Sequence, residues 1–261
     1  MRDARAAVLG RAQDLGHLGA ESLDGASDPA SRMSPVFVIP LIAGAVGGAF
    51  AAVVARQYLG RRKPYQAIWG VALAMFAAAA LFETAGEAFG WSDATYKGYY
   101  LFGGLLNVAW LGLGALLLQV PVRAGRIATI AMVVVSFVAL VSVLVAHTDP
   151  QLLKAQVPAR GVIDVPVVLP LITNLGGSIL LIGGAAWSAW KAARSGAPRN
   201  RVLGLAVLAA GAFVVAGGHS YAQTKGVYAA QPISEALGIV AMFVGYLVVE
   251  SRLPIRRRSA A

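Results

Sequence analysis

The chain has 261 residues, of which 58% are hydrophobic and only 13% are charged. Soluble domains carry about a quarter charged residues, so this composition excludes an ordinary soluble protein and predicts a lipid bilayer as the main partner. The absence of cysteine excludes disulfides, thiolate metal sites, iron–sulfur clusters and cysteine nucleophiles. A formal net charge of +10 would favour nucleic acid in a soluble protein, but the distribution of that charge argues against nucleic acid here.

Residues 1–34 form a polar tail that lacks the apolar core of a signal peptide. We expect this tail to be disordered and the first helix to act as an uncleaved insertion signal. A second interpretation is that Met33 is the true start of the protein. Residues 35–252 form the predicted transmembrane domain, and residues 253–261 form a basic tail.

Seven stretches are long and apolar enough to cross a membrane. A spanning helix needs about 20 residues, because the hydrocarbon core is about 30 Å thick and each residue rises about 1.5 Å. We therefore predict an all-α, polytopic fold. The predicted helices run approximately over Pro35–Tyr58, Tyr65–Phe89, Tyr99–Val120, Arg126–Ala146, Val165–Trp190, Arg201–Tyr221 and Ala229–Glu250.

Lysine and arginine in the connections predict the orientation, because positive loops stay in the cytoplasm. The opposite loops hold only Lys97, Lys154, Arg160 and Lys225. We predict an outer amino terminus and an inner carboxyl terminus in the bacterial cytoplasmic membrane. The basic residues of the first, third and fifth loops and the carboxyl tail are Arg56, Arg61, Arg62, Lys63, Arg123, Arg126, Lys191, Arg194, Arg199, Arg201, Arg252, Arg256, Arg257 and Arg258. Residues that fit interfacial aromatic belts are Trp187 and Trp190 on the inner side and Trp91, Tyr96, Tyr99 and Tyr100 on the outer side.

The sequence also contains a weak internal similarity. The segment VIPLI at Val38–Ile42 recurs as VLPLI at Val168–Ile172. Helices one to three would then repeat as five to seven around a connecting fourth helix, a 3+1+3 parallel repeat of the kind found in some transporters. The alternative is that apolar helices resemble each other by composition. Glycine pairs at packing spacing predict close helix contacts, namely Gly44 with Gly48, Gly176 with Gly183, Gly177 with Gly184 and Gly238 with Gly245.

Acidic residues and histidines collect near the outer helix ends. Glu83 and Glu87 lie one helical turn apart on one face, and Glu235 lies about one turn inside the seventh helix. Ionisable groups are costly in a membrane and tend to face the bundle interior. We therefore expect Glu83 and Glu235 to line a net acidic pocket that opens outward. The outer residues are Glu83, Glu87, Asp93, Asp149, Asp164, Glu235, His147 and His219, of which Asp93 and Asp149 are predicted to be loop residues.

Asn107 and Asn174 are predicted to line the floor of this pocket, because amides offer both donors and acceptors. Glu87 and His219 are further ligand-binding candidates. The alternative interpretation is that the acids are solvated at headgroup level and that the two asparagines only bond neighbouring helices.

The residues in the predicted helices argue against several activities. A retinal protein needs a lysine in its seventh helix, and none lies between Gly226 and Ser251. Paired haem ligands inside the membrane are missing, as are serine-elbow, phosphate-loop and zinc-protease motifs. We predict no cofactor. A metal-dependent hydrolase using His147, His219 and Asp164 is the less favoured enzymatic alternative, because these residues lack a metal-ligand spacing.

Three segments carry a resemblance, namely Tyr99–Leu118 (YYLFGGLLNVAWLGLGALLL), Leu171–Arg194 and Ser234–Arg252. On these segments the chain resembles an uncharacterised family of seven-helix integral membrane proteins common in actinobacteria, which implies the fold and a membrane location. The second and third helices are similar, more weakly, to the seven-helix input regions of bacterial histidine kinases. Because the chain ends soon after its last predicted helix, sensing would require a separate partner protein.

The sequence thus favours a non-enzymatic bundle that binds a small polar or cationic ligand through an outer acidic pocket. A carrier is preferred, since a parallel repeat would suit alternating access. The alternatives are a membrane sensor that relays to a partner and an accessory subunit of a membrane complex.

Overall fold

The computed structural model describes residues 37–154, 162–225, 227 and 229–250. Within these residues, seven helices are long and apolar enough to cross a membrane, which confirms the all-α, seven-helix prediction. The predicted tails, residues 1–34 and 253–261, lie outside the described residues. In chain order the helices are α1 (Val38–Arg61), α2 (Pro64–Phe89), α3 (Asp93–Leu117), α4 (Val122–Val145), α5 (Val168–Arg194), α6 (Arg199–Lys225) and α7 (Ala230–Glu250).

Six of the helices form a ring, and α4 lies outside it. Helix α1 packs on α2 and α7, α3 packs on α2 and α5, and α6 lies between α5 and α7. Helix α4 packs mainly on α3, where Trp110 Nε1 donates to Ser136 Oγ at 3.0 Å. Its outer face exposes Val133, Phe137 and Leu144 by more than half, as expected for contact with lipid. The 3+1+3 repeat with this helix as its connector stays a prediction.

The two ends of the ring differ in chemistry. We call the end with Arg61, Arg123 and Arg194 the basic end, since it holds the α1–α2, α3–α4 and α5–α6 connections. We call the opposite end, which carries Glu83 and Glu235, the acidic end. The grouping of basic and acidic residues predicted from the loops is thus retained in the folded chain.

Helix α3 begins earlier than the sequence analysis predicts. Ser92 Oγ accepts the backbone N–H of Thr95 at 3.2 Å, and Thr95 Oγ1 accepts the backbone N–H of Ser92 at 2.8 Å. This reciprocal capping box starts the helix at Asp93. The prediction that Asp93 is a loop residue is therefore wrong, because the cap satisfies the first free backbone donors and starts the helix six residues before the predicted Tyr99.

Two π-helical segments face each other inside the bundle. One is Tyr100–Leu106 in α3, and the other is Leu171–Gly176 in α5. Asn174 Nδ2 donates to the carbonyl oxygen of Gly104 at 2.6 Å and joins the two segments. Just beyond them the backbones touch, since a Cβ added at Gly177 would lie 2.7 Å from the backbone nitrogen of Ala109. Such wide turns interrupt the regular helix and often occur at functional sites.

Glycines also bring α6 and α7 into backbone contact. A Cβ added at Gly204 would lie 2.7 Å from the carbonyl oxygen of Gly245, and one added at Gly211 would lie 2.7 Å from that of Gly238. Close approach over glycine supplies the van der Waals contact that holds helices together in lipid.

The predicted packing role is therefore confirmed for Gly177, Gly238 and Gly245. It is wrong for Gly176 and Gly183, because an added Cβ would meet nothing within 4 Å at either position.

The connection between α4 and α5 lies at the acidic end. Thr148 and Ile163 form an isolated antiparallel bridge, and residues Pro150–Lys154 form a short helix. Thr148 Oγ1 donates to Asp93 Oδ1 at 2.6 Å and so ties this connection to the start of α3. Asp149 precedes the short helix as a loop residue, as predicted, and its side chain accepts the backbone N–H of Gln151.

Candidate functional site

Glu83 is the central residue of the acidic cluster. It lies near the end of α2, and the residue is only 5% exposed. Its Oε2 has no hydrogen-bond partner within the described part of the chain. The carboxyl groups of Glu235 and Glu87 are close enough to act on Glu83 electrostatically. A buried carboxyl group thus has two further carboxyl groups nearby and one free oxygen.

Glu235 enters the cluster from α7 through a short hydrogen-bonded chain. Gln231 lies one turn before it, and Gln231 Nε2 donates to Glu235 Oε1 at 3.2 Å. The same nitrogen donates to the hydroxyl oxygen of Tyr99, on α3. Tyr99 lies within electrostatic range of both Glu83 and Glu235. Since its oxygen accepts from Gln231, the Tyr99 O–H proton remains available to a carboxylate or a ligand.

Gln231 and Tyr99 are therefore site residues that the sequence analysis did not identify. The available signal was the four-residue spacing between Gln231 and Glu235, which places both on one face of α7.

An aromatic cluster covers the acids at the acidic end. Trp91 Nε1 donates to Glu87 Oε1 at 3.3 Å, and the Trp91 ring lies against the backbone at Gly86. The ring meets Tyr96 and Tyr99 edge-on, with centroids 5.7 and 5.4 Å away. Tyr96 and Tyr99 are 5% and 8% exposed, so the prediction that they belong to an interfacial belt is wrong. They are buried because they belong to a hydrophobic cluster that also contains Val143 of α4 and Ile163 of the α4–α5 connection.

The two predicted floor residues have different surroundings. Asn107 is buried in α3, and its Oδ1 has no hydrogen-bond partner among the described residues. The Asn174 amide is engaged with the Gly104 carbonyl, as the helix-bonding alternative predicts. The hydrogen bonds described for the acids involve Gln231 and Trp91 and neither asparagine.

The weaker candidates lie at the protein surface. His147 and Asp164 are exposed in the α4–α5 connection, where the Asp164 backbone N–H donates to the His147 carbonyl at 3.0 Å. His219 is exposed on α6. Across residues 37–154, 162–225, 227 and 229–250, no three His, Asp or Glu side chains are grouped so as to hold a metal ion. The structure therefore adds no support to the metal-dependent hydrolase.

Neither central acid takes part in the ion pairs found in the described residues. Those pairs join Arg61 to Glu250 at 2.9 Å and Lys97 to Asp93 at 3.2 Å. In a medium of low dielectric constant, two neighbouring carboxylates cannot both remain charged without a cation or protons to balance them. The acidic cluster is therefore chemically suited to bind positive charge.

A cavity beside this cluster does not include its acids. It is a groove of about 610 Å³ between the acidic-end halves of α6 and α7, lined by apolar residues such as Phe213, Ile233 and Leu237. Because Glu83 is buried, its carboxyl group is closed to bulky ligands in this conformation.

Comparison with protein-family models, curated proteins and solved structures finds no match to this chain. The resemblances drawn from the sequence segments stay predictions, and a function has to be argued from the site itself.

Proposed function

We propose that this protein binds a small cation at Glu83 and Glu235 and carries it across the bacterial cytoplasmic membrane, with the basic end inside. The observation that carries the proposal is the Glu83 carboxyl group, which is buried in a spanning helix with a free oxygen and with Glu235 beside it. Ionisable groups at such positions are costly and mark ion or substrate pathways.

The chemistry of the neighbours supports a cation over an anion. The site combines carboxyl groups from α2 and α7 with the Tyr99 hydroxyl group, and its nearest amide, on Gln231, already donates to Glu235. Such a set offers mainly oxygen acceptors, which bind ammonium groups and hard metal cations. An anion would meet additional negative charge.

A carrier is preferred to a static binding protein because the site lies between helices of different units. Glu83 and Tyr99 come from α2 and α3, whereas Gln231 and Glu235 come from α7. A cation held between them would link the first and last three-helix groups, and rocking of one group against the other would expose it to either side.

The test is a thermal-shift measurement on detergent-purified protein with ammonium, sodium, magnesium and putrescine chlorides. A cation at about 100 times its Kd should stabilise the wild type by roughly 2.7 kcal/mol. Glu83→Gln and Glu235→Gln should lose this shift while remaining folded, since glutamine has the same shape without the charge. Asp164→Asn is the matched control, because Asp164 is an exposed acid at the same end, and it should keep the shift.

Proteoliposome uptake of the stabilising cation separates carriage from binding. The wild type and Asp164→Asn should both accumulate it, and the two glutamine variants should not. A wild type that is stabilised by none of the four cations, or equal shifts in all variants, would refute the proposed site.

A further inference from the structure

A second buried polar cluster lies at the basic end, and the sequence analysis did not identify it. Its members are Gln57 on α1, Gln66 on α2 and Tyr246 on α7. Gln66 Nε2 donates to Gln57 Oε1 at 3.2 Å, and the Tyr246 hydroxyl group donates to the same oxygen. Gln66 is 1% exposed, yet its Oε1 has no hydrogen-bond partner in the described ranges. We call these three residues the glutamine cluster.

The glutamine cluster and the acidic cluster share two helices. Gln66 and Glu83 are both buried on α2, seventeen residues apart, which corresponds to about 25 Å at about 1.5 Å per residue. On α7, Glu235 and Tyr246 are eleven residues apart and fall within 20° of each other around the helix at about 100° per residue. One side of α7 thus carries polar groups towards both ends of the helix, whereas on α2 the two buried polar groups lie about 100° apart around the helix axis.

Apolar side chains separate the two clusters. Phe50, Leu73, Leu111 and Met242 enclose a cavity of about 10 Å³, which has room for about one water molecule at most. The Phe50 ring stacks on Phe243, with centroids 4.9 Å apart, and helps to fill this layer. In this conformation the cavity within the apolar layer has no room for a hydrated cation.

An ion pair closes the glutamine cluster on the side that faces away from the acidic cluster. Arg61 Nη1 lies 2.9 Å from Glu250 Oε2 and joins the end of α1 to the end of α7. Both charged groups lie within electrostatic range of Tyr246. The Arg61 side chain is 42% exposed, so this pair sits at the water boundary where its partners can exchange for water.

We propose that the glutamine cluster is a second binding station for the cation held at Glu83 and Glu235, and that the Arg61–Glu250 ion pair is the gate between this station and water. The inference rests on the proposed function. The free Gln66 oxygen and the Tyr246 hydroxyl oxygen are neutral acceptors, which bind a cation more weakly than paired carboxylates do. A weaker station on the inner side is where release would occur.

The gate can be tested without knowing the ligand, because the natural chain contains no cysteine. Gln66→Cys places a single thiol in the cluster, and its rate of reaction with a membrane-impermeant maleimide in permeabilised vesicles reports access to water. Arg61→Ala should raise this rate at least tenfold. The exchanged pair, Arg61→Glu with Glu250→Arg, should return it to the slow rate, which excludes a general loss of structure. Leu59→Cys is the control, since Leu59 is 65% exposed on α1 and should react equally in every background.

The station is tested with Gln66→Leu in the thermal-shift and uptake measurements. We expect this variant to keep the cation-induced shift of the wild type but to lose at least nine-tenths of its uptake. If the wild type shows neither shift nor uptake, the proposed function and the station fail together. If Gln66→Leu transports like the wild type, only the station is refuted. If Arg61→Ala leaves the labelling rate of Gln66→Cys unchanged, the gate is refuted.

Discussion

Gly177 allows a sharp test of how α3 and α5 are held together. A Cβ at this position would lie 2.7 Å from the backbone nitrogen of Ala109 and equally close to the Val108 carbonyl group. Ordinary contacts of a Cβ begin at 3.4 Å, so the overlap is 3.4 minus 2.7, or 0.7 Å. Because the opposing atoms are backbone, they cannot rotate away, and the two helices would have to separate.

The expected magnitude follows from two opposing effects. Overpacking of this kind costs about 1–3 kcal/mol. Replacing glycine by alanine within a helix gains about 0.5–1 kcal/mol. Gly183→Ala provides the control, since Gly183 lies in the same α-helical stretch and a Cβ there meets nothing within 4 Å. The helix-propensity gain is shared, so the difference between the two variants isolates the overlap.

We expect Gly177→Ala to unfold more easily than Gly183→Ala by about 1–3 kcal/mol, measured by equilibrium unfolding in mixed SDS micelles. Gly183→Ala itself should equal or slightly exceed the wild type in stability. Equal stabilities of the two variants would refute the close α3–α5 contact and with it the position of Asn174 against Gly104.

Two further predictions concern the attachments of the acidic end and of α4. Thr148→Val removes the hydrogen bond to Asp93 without changing the side-chain shape, and it should destabilise the protein by about 1 kcal/mol. Asp93→Ala is the partner variant in a double-mutant cycle, because alanine offers no acceptor, and additive effects would contradict this bond. Ser136→Ala removes the acceptor of Trp110 Nε1 and should cost about 0.6 kcal/mol and increase hydrogen exchange within α4 alone. Faster exchange throughout the ring would show that α4 is an integral part of it.

Most of the predicted fold follows from local properties of the sequence. The number of spanning helices and the grouping of basic residues at one end follow from helix length and loop composition, and both appear in the described structure. The start of α3 was missed because hydropathy does not report a capping box, and Ser92 with Thr95 extends the helix through polar residues. The two π-helical segments leave no simple mark in the pattern of apolar residues.

The candidate site could be predicted only in part from the sequence. The free-energy cost of placing a carboxyl group inside a spanning helix is enough to identify Glu83 and Glu235 as candidate site residues. This cost applies whichever way the side chain points. The sequence does not assign partners to them, because hydropathy does not reveal that Tyr99 and Gln231 share a hydrogen bond across the bundle. Asn174 was assigned to the same site, whereas the structure engages its amide with Gly104.

The sequence by itself determined that this protein has seven helices long and apolar enough to cross a membrane, with Glu83 and Glu235 at the opposite end from Arg61, Arg123 and Arg194. Those properties follow from composition and from the length of each apolar stretch. Only the tertiary structure decided that α4 lies outside the ring and that Glu83 comes within electrostatic range of Glu235. It also decided that Gln66 shares a buried cluster with Tyr246. The physical reason is that apolar helices are nearly equivalent in lipid, and their neighbours are selected by close contacts at residues such as Gly177 and Gly211, which depend on the whole bundle.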